Sequence, residues 1–371
     1  MQETAAIPAG ILCAADYEQV AQGLLDPALH AYIAGGSAQD QTLADNRRAF
    51  DAWALVPRLL NDVKGGHTGL TLSGRNWPHP VMLAPVAYQQ LVHPQAELAT
   101  ARAAAATDTC MVCSTLSTRP LAEVMGAAGH AWFQLYGQPD RADTLTLLRR
   151  AEAAGAQAIV VTLDAAIQAP SQRALRAGFR MPADCVAVNL ADLPSAQAPA
   201  VGTGPSRIFQ GAMASALTWS DLDWLLQQTR LPLWVKGVLH PDDAVALRAR
   251  GVAGLIVSNH GGRGLDGACA SLDALPAIRQ ALGPEVPVLL DSGIRSGQDI
   301  FKALALGANA VLIGRLQLYA LRAAGALGVA HMLQLLREEL EICMAMSGCA
   351  STADIGPHLL TRRHPAPHTG A

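Results

Sequence analysis

Eight short apolar runs, each ending in small or polar residues, constrain the fold of this 371-residue chain more than any other feature. They are 81–86 (VMLAPV), 111–116 (MVCSTL), 131–136 (AWFQLY), 158–164 (AIVVTLD), 233–237 (LWVKG), 254–259 (GLIVSN), 288–292 (VLLDS) and 310–314 (AVLIG). Continuous apolar runs of this length are expected of parallel strands buried on both faces. The stretches between them carry helix punctuation. Pro94 suits a first turn, Asp140 and Asp143 open a helix that Gly155 stops, Pro241 opens another, and Ser296 precedes a third. Strand and helix alternating eight times predict an α/β chain folded as a (β/α)8 TIM barrel. An open doubly wound sheet is the alternative.

The runs start 30, 20, 27, 75, 21, 34 and 22 residues apart, so a long insertion follows the fourth strand. Residues 165–217, rich in Pro, Ala and Gly, read as a lid loop over the barrel 81–355. Residues 1–80 read as helices near 16–35 and 40–50, then a hairpin (LTLSGRNWPHPVML) that turns at Gly74 and closes the barrel floor. Residues 356–371 read as a frayed tail. The formal charge of −3 is too balanced for a nucleic-acid or anionic-membrane partner, and no apolar run is long enough to span a bilayer. The amino terminus lacks the basic region of a signal peptide, and seven scattered cysteines fit a reducing cytoplasm. Cys110 and Cys113 form one CxxC within a strand-like run, where they point to opposite faces, so neither a redox nor a metal site is expected.

The reaction site of such a barrel lies at the carboxyl ends of its strands. Those ends supply Ala87, Ser114, Gln134, Tyr136, Thr162, Asp164, Lys236, Ser258, His260, Asp291, Gly293, Arg295, Gly314 and Arg315. The seventh and eighth ends (DSGIR and IGR) put glycines and two arginines where barrels commonly bind phosphate: glycine admits the anion to backbone N–H groups, and guanidinium forks it. Lys236 closes an otherwise apolar run. It reads as a snorkelling rim residue, a Schiff-base lysine, or a buried cation facing negative charge that develops on a reduced cofactor. SNHGGRGLD (258–266) is the most informative segment. A histidine directly at a strand end is a natural general base, and Arg263, beyond two glycines, can fold back over the same cavity to hold a carboxylate.

These motifs, with AYIAGGSAQDQ around Tyr32, APVAYQQLVHP, WFQLY, VTLD, VKGV, KALALGA and IGR, resemble the FMN-dependent α-hydroxy acid oxidase/dehydrogenase family across roughly residues 14–355. The resemblance implies oxidation of an L-2-hydroxy acid to the 2-oxo acid, with oxygen, a quinone or a carrier protein as acceptor. It implies His260 as base, Asp164 as the carboxylate behind it, and Arg263, Tyr32 and Tyr136 on the substrate. Lys236 would face the flavin, whose ring would lie along Pro85, Val86 and Ala87 with Ser114, Gln134, Thr162 and Ser258 nearby. Gly293, Arg295, Gly314 and Arg315 would take the phosphate, with Asp291 toward the ribityl hydroxyls. A cyclic homotetramer is the family-based expectation.

The chain departs from the family pattern in several places. Ser171 stands where an arginine of the lid usually faces the substrate, and Arg173 is the nearest replacement. Ser292 replaces a usual glycine, Leu316 a usual proline, and Leu116 an aromatic, which opens space for a side chain bulkier than that of glycolate. With no haem-binding sequence ahead of the barrel, a flavocytochrome arrangement is not expected. A flavin-binding protein without turnover is the alternative that the missing arginine raises, and a flavin-dependent isomerase is a third reading.

Overall fold

The structure, a computed structural model, describes residues 6–194 and 205–363. Twelve strands follow in chain order: β1 (Trp53–Leu55), β2 (Leu70–Leu72), β3 (Arg75–Trp77), β4 (Val81–Leu83), β5 (Cys110–Ser114), β6 (His130–Leu135), β7 (Ile159–Thr162), β8 (Leu233–Val238), β9 (Gly254–Val257), β10 (Val288–Leu290), β11 (Ala310–Ile313) and β12 (Leu360–Arg362). Strands β4 to β11 close into one parallel barrel, and each of the eight lies within or against one of the apolar runs. Below their polar carboxyl ends the runs are apolar on both faces because both faces are covered. Met82, Val112, Val160, Ile256, Leu289 and Leu312 point into the lumen, whereas their neighbours Leu83, Met111, Val161, Leu255, Leu290 and Ile313 pack outward against the helices. Cys110 faces the lumen and Cys113 the helical layer, and all seven cysteines are free thiols.

The lumen is filled at mid-height by Trp132 and Trp234, whose rings are 4.9 Å apart. Gly254, in register with Trp234, supplies the room. The β2–β3 hairpin, turning at left-handed Gly74, adds Leu72 and Trp77 to the same cluster and closes the amino-terminal end. Helix punctuation behaves as read except at Pro94, which lies one residue ahead of the cap Gln95 rather than in the first turn of the helix Ala96–Ala106. Asp140 accepts from Ala142 N at 2.8 Å, Ser296 accepts from Asp299 N, Pro241 occupies a first turn, and Gly155 is left-handed just past its helix.

Ahead of the barrel come α1 (Asp16–Leu24), α2 (Pro27–Ala34) and α3 (Gln41–Asp51). Pro27 and the Asp26 cap, which accepts from Ala28 N and Leu29 N, separate α1 from α2. The extension is fastened to the mouth of the barrel. The Asn46 and Asn259 side-chain amides bond reciprocally at 2.9 and 2.7 Å, Asp266 accepts from Gln39 N and Thr42 N at the start of α3, and Ser37 N donates to Gly262 O.

Two expectations need correction. Residues 357–363 are not a frayed tail: a short turn leads into β12, which pairs antiparallel with β1, and Leu359 and Leu360 are buried. Two hydrophobic residues in that segment supply the burial that a free tail lacks. The insertion is not wholly irregular either, since it contains a short helix, Gln172–Arg176, and a π-type turn, Ile208–Ala212. Part of the expected lid (195–204) and the end of the expected tail (364–371) lie outside the described residues. Among the described residues, no helix is long and apolar enough to cross a membrane.

A β-carbon at Gly254 would overlap the Trp234 indole. Gly254→Ala is therefore expected to destabilise the fold by about 1–3 kcal/mol through overpacking. Urea unfolding provides the measurement, and a midpoint equal to that of the parent would show that the lumen has slack.

Candidate active site

Alternation carries the lumen-facing positions of each strand up to the barrel mouth. Two residues beyond Val112, Trp132, Val160, Trp234, Ile256, Leu289 and Leu312 come Ser114, Gln134, Thr162, Lys236, Ser258, Asp291 and Gly314. Of these, Ser114, Lys236, Asp291 and Gly314 floor a cavity of about 1050 Å³, measured with its open mouth. The cavity wall includes Tyr32 and Ile33 from α2, the backbone segment Ala84–Tyr88 after β4, Tyr136, His260 and Arg263.

Lys236 is buried, its Nζ 3.1 Å from Asp291 Oδ2 and 2.8 Å from Ser258 Oγ. Burial works against its charge, but Asp291 and Asp164 outweigh it and raise the lysine above its ordinary range. Asp164 Oδ1 lies 2.8 Å from His260 Nδ1. Burial pushes the Asp164 carboxyl up, and Lys236 and His260 more than reverse that, holding it down at about 2. An ionised carboxylate at Nδ1 fixes the proton there and leaves Nε2 free to accept another. Tyr136 is pushed up to about 12, chiefly by burial, and stays a neutral phenol.

Arg263 Nη1 donates to Tyr32 O and Gly35 O, and its guanidinium lies 4.8 Å from the centre of the Tyr32 ring. The other side of that ring stacks on Phe179 at 4.2 Å. Arg315 is committed to backbone carbonyls, donating to Ile33 O, Gly261 O and Gly35 O at 2.8 Å each. Arg295 Nε pairs with Glu18 Oε2 at 2.8 Å. Burial and then the positive charges of Arg263 and Arg295 drive Arg315 down to about 9. Three guanidiniums thus crowd one end of the cavity, with Glu18 as the carboxylate paired to one of them, an arrangement that an anion would relieve.

The cavity brings together Tyr32, Pro85, Val86, Ala87, Ser114, Tyr136, Lys236, His260, Arg263, Asp291, Gly293, Arg295, Gly314 and Arg315. Four other expected residues stand one contact behind. Asp164 is on His260, Ser258 on Lys236, Gln134 on Ser114, and Thr162 lines an adjoining chamber. Asp291 is engaged with Lys236 and Ser292. Arg173 does not replace the missing lid arginine. It pairs with Asp40 at 2.7 Å on the outer surface, because the Ser171 hydroxyl accepts from Ala174 N and starts a helix that turns Arg173 outward. Among the described residues of the lid, Gln168 lines the cavity, and the sequence pattern held no signal for it or for Phe179.

The residues fit FMN. Gln134 Nε2 and Thr162 Oγ1 are buried without a hydrogen-bond partner beside the floor, as expected of groups waiting for a polar heterocycle. At the guanidinium end, a β-carbon on Gly314 would meet nothing within 4 Å, so its backbone is open to a phosphate.

The comparisons agree with this geometry: residues 21–362 match the FMN-dependent dehydrogenase family, and the chain belongs to it. It is similar to the L-lactate oxidase of Alicycliphilus denitrificans, at 62% identity over 96% of this chain and 98% of the relative. Glycolate oxidase 3 of Arabidopsis thaliana is 39% identical over 95% of this chain and 96% of its own. A solved mandelate oxidase with (S)-2-phenylpropionate superposes with a TM-score of 0.85 at 38% identity, covering 95% of this chain and 98% of that one. The protein is an FMN-dependent enzyme of the 2-hydroxy-acid-oxidising type, and a flavin-binding protein without turnover has no support among these relatives.

Because the Asp164 carboxyl is lowered from 3.8 to about 2, its ionisation stabilises the fold above 3.8, and that contribution is lost as the pH falls through 2. The stability advantage of the parent over Asp164→Asn should therefore shrink as the pH falls below 3.8. Urea unfolding across that range measures the gap, and a gap independent of pH would contradict the assigned ion pairs.

Proposed function

We propose that the protein oxidises an L-2-hydroxy acid, L-lactate foremost, to the 2-oxo acid with dioxygen as the electron acceptor. The observation that carries this reading is the His260–Asp164 pair, 2.8 Å apart, facing the same cavity as Arg263, Tyr32 and Lys236. The names of the similar oxidases support lactate and oxygen.

FMN would be held by Pro85, Val86 and Ala87 along one wall. Ser114, Gln134, Thr162 and Ser258 would lie at its polar end, and Gly293, Arg295, Gly314 and Arg315 at its phosphate. Bound FMN supplies the acceptor for the two electrons that leave the substrate. The chain does the rest. Donors of Arg263 not spent on Tyr32 O and Gly35 O fork the substrate carboxylate, with the Tyr32 and Tyr136 hydroxyls beside it. His260 Nε2 takes the substrate proton, and Asp164 stabilises the imidazolium that results. Lys236 keeps its charge and offsets the negative charge that builds in the mouth during reduction.

A wider substrate range has its own support. Leu116, Tyr136 and Gln168 separate the cavity from a second chamber lined by Ala165, Ala166 and Ala212, with space for side chains larger than methyl. The absence of disulfides among seven cysteines supports a cytoplasmic location, and family resemblance supports a homotetramer.

Anaerobic stopped-flow flavin reduction with L-lactate, glycolate, L-2-hydroxybutyrate and L-mandelate, followed by reoxidation in air, tests the activity. His260→Ala should slow reduction by about 100-fold or more while retaining FMN, the loss expected of a general base. Reduction at the parental rate in that variant would remove His260 from the role.

A further inference from the structure

The His260 turn carries unusual backbone geometry. His260, Gly261 and Gly262 all have positive φ (60°, 63° and 75°), and Ser292, across the cavity floor, is a non-glycine residue at φ 80°. A left-handed conformation disfavours a side chain there unless the surroundings hold it in place. The hydrogen bonds show what holds it. Gly261 N–H donates to Ser292 Oγ at 2.9 Å, and Ser292 Oγ–H donates to Asp291 Oδ1 at 2.8 Å. The other oxygen of Asp291 is 3.1 Å from Lys236 Nζ, which donates to Ser258 Oγ at 2.8 Å. Ser258 Oγ in turn accepts from His260 N–H at 3.0 Å. The chain of contacts closes on itself: His260, Gly261, Ser292, Asp291, Lys236, Ser258 and back to His260.

We propose that Ser292 is a positioning residue for His260. Its hydroxyl completes this ring, which clamps the two successive N–H groups of the His260–Gly261 turn to the buried Lys236–Asp291 pair and aims the imidazole at Asp164. Arg315 Nη1 also donates to Gly261 O at 2.8 Å, so the two peptide groups flanking the Gly261 Cα are held, one at its nitrogen by Ser292 and the next at its oxygen by Arg315. A glycine at 292 would adopt the same φ at no steric cost and leave Gly261 N–H and Asp291 Oδ1 without the shared hydroxyl. The serine therefore exchanges backbone ease for a fixed base. The catalytic consequence rests on the reading of His260 as the proton acceptor, whereas the clamp itself does not.

Ser292→Gly separates the hydroxyl from the backbone, since it removes the former and relaxes the latter, and Ser292→Ala serves as the strained counterpart. Hydrogen–deuterium exchange of the FMN-loaded enzyme, read on the peptide covering residues 258–264, should rise about tenfold in both variants through the lost hydrogen bond. Anaerobic flavin reduction at saturating L-lactate should slow about tenfold in both, with substrate affinity and FMN content little changed. Unaltered exchange overturns the clamp. Faster exchange with an unaltered reduction rate overturns the positioning role, as does a parental rate in Ser292→Gly alone, which would assign the defect to backbone strain. If the parent enzyme is reduced by no 2-hydroxy acid, the proposed activity fails, and the exchange data still decide the clamp.

Discussion

An ammonium group buried at the top of an apolar barrel is the constraint from which the active-site geometry follows. Lys236 sits one alternation above the Trp234 indole, and only 3% of it remains exposed. A charge in that position persists only if carboxylates and hydrogen bonds replace its water, and breaking such a buried pair typically costs about 3–5 kcal/mol. Asp291, Ser258 and Asp164 provide the replacement. The same cation keeps Asp164 ionised, and the ionised Asp164 fixes the tautomer of His260. Cation, carboxylate and imidazole therefore form one electrostatic unit spread over the ends of β7, β8, β9 and β10.

The strand-borne part of that unit was legible in the sequence because alternation in a strand is a rigid rule, whereas Asp164 and His260, just past β7 and β9, were placed by the strand ends and the family resemblance. Once β8 is recognised from LWVKG, Trp234 and Lys236 must share a face, and the same step relates Trp132 to Gln134 and Leu289 to Asp291. Side chains on loops follow no such period. Arg173 was two residues from a position of interest but is turned outward by a helix that its own neighbour Ser171 caps. Gln168 and Phe179 reach the cavity and the Tyr32 ring through loop conformation alone. The carboxyl-terminal segment misled for a different reason. Its two leucines are too few to read as a strand, and the pairing with Trp53–Leu55 joins segments far apart in the sequence.

The extension ahead of the barrel belongs to the site as much as the barrel does. Its carbonyls at Tyr32, Ile33 and Gly35 receive Arg263 and Arg315, and Glu18 receives Arg295. Every arginine that the strand ends bring to the mouth is thus oriented by α1, α2 or the turn after α2. Guanidinium has five donors in a fixed plane, so anchoring some of them to backbone directs the rest, which a lysine with one rotating ammonium does not permit. Tyr32 gains from the same arrangement: its ring is held between the Arg263 guanidinium and Phe179.

The two glycines after His260 follow from that docking. A β-carbon at Gly262 would come within 2.7 Å of the Leu43 backbone nitrogen, and one at Gly261 within 2.7 Å of Arg315 Nη1. The loop after β9 can pass beneath α3 and against Arg315 only if both positions are bare, and only glycine accepts their positive φ without strain. Three consecutive left-handed residues reverse the chain within a single turn, so that His260 faces Asp164 while Arg263, three residues on, returns to the carbonyls of Tyr32 and Gly35. The motif His-Gly-Gly-Arg thus places a proton acceptor and a carboxylate-binding fork on one cavity from one short loop. Its spacing is dictated by the helix packed above it rather than by the chemistry alone.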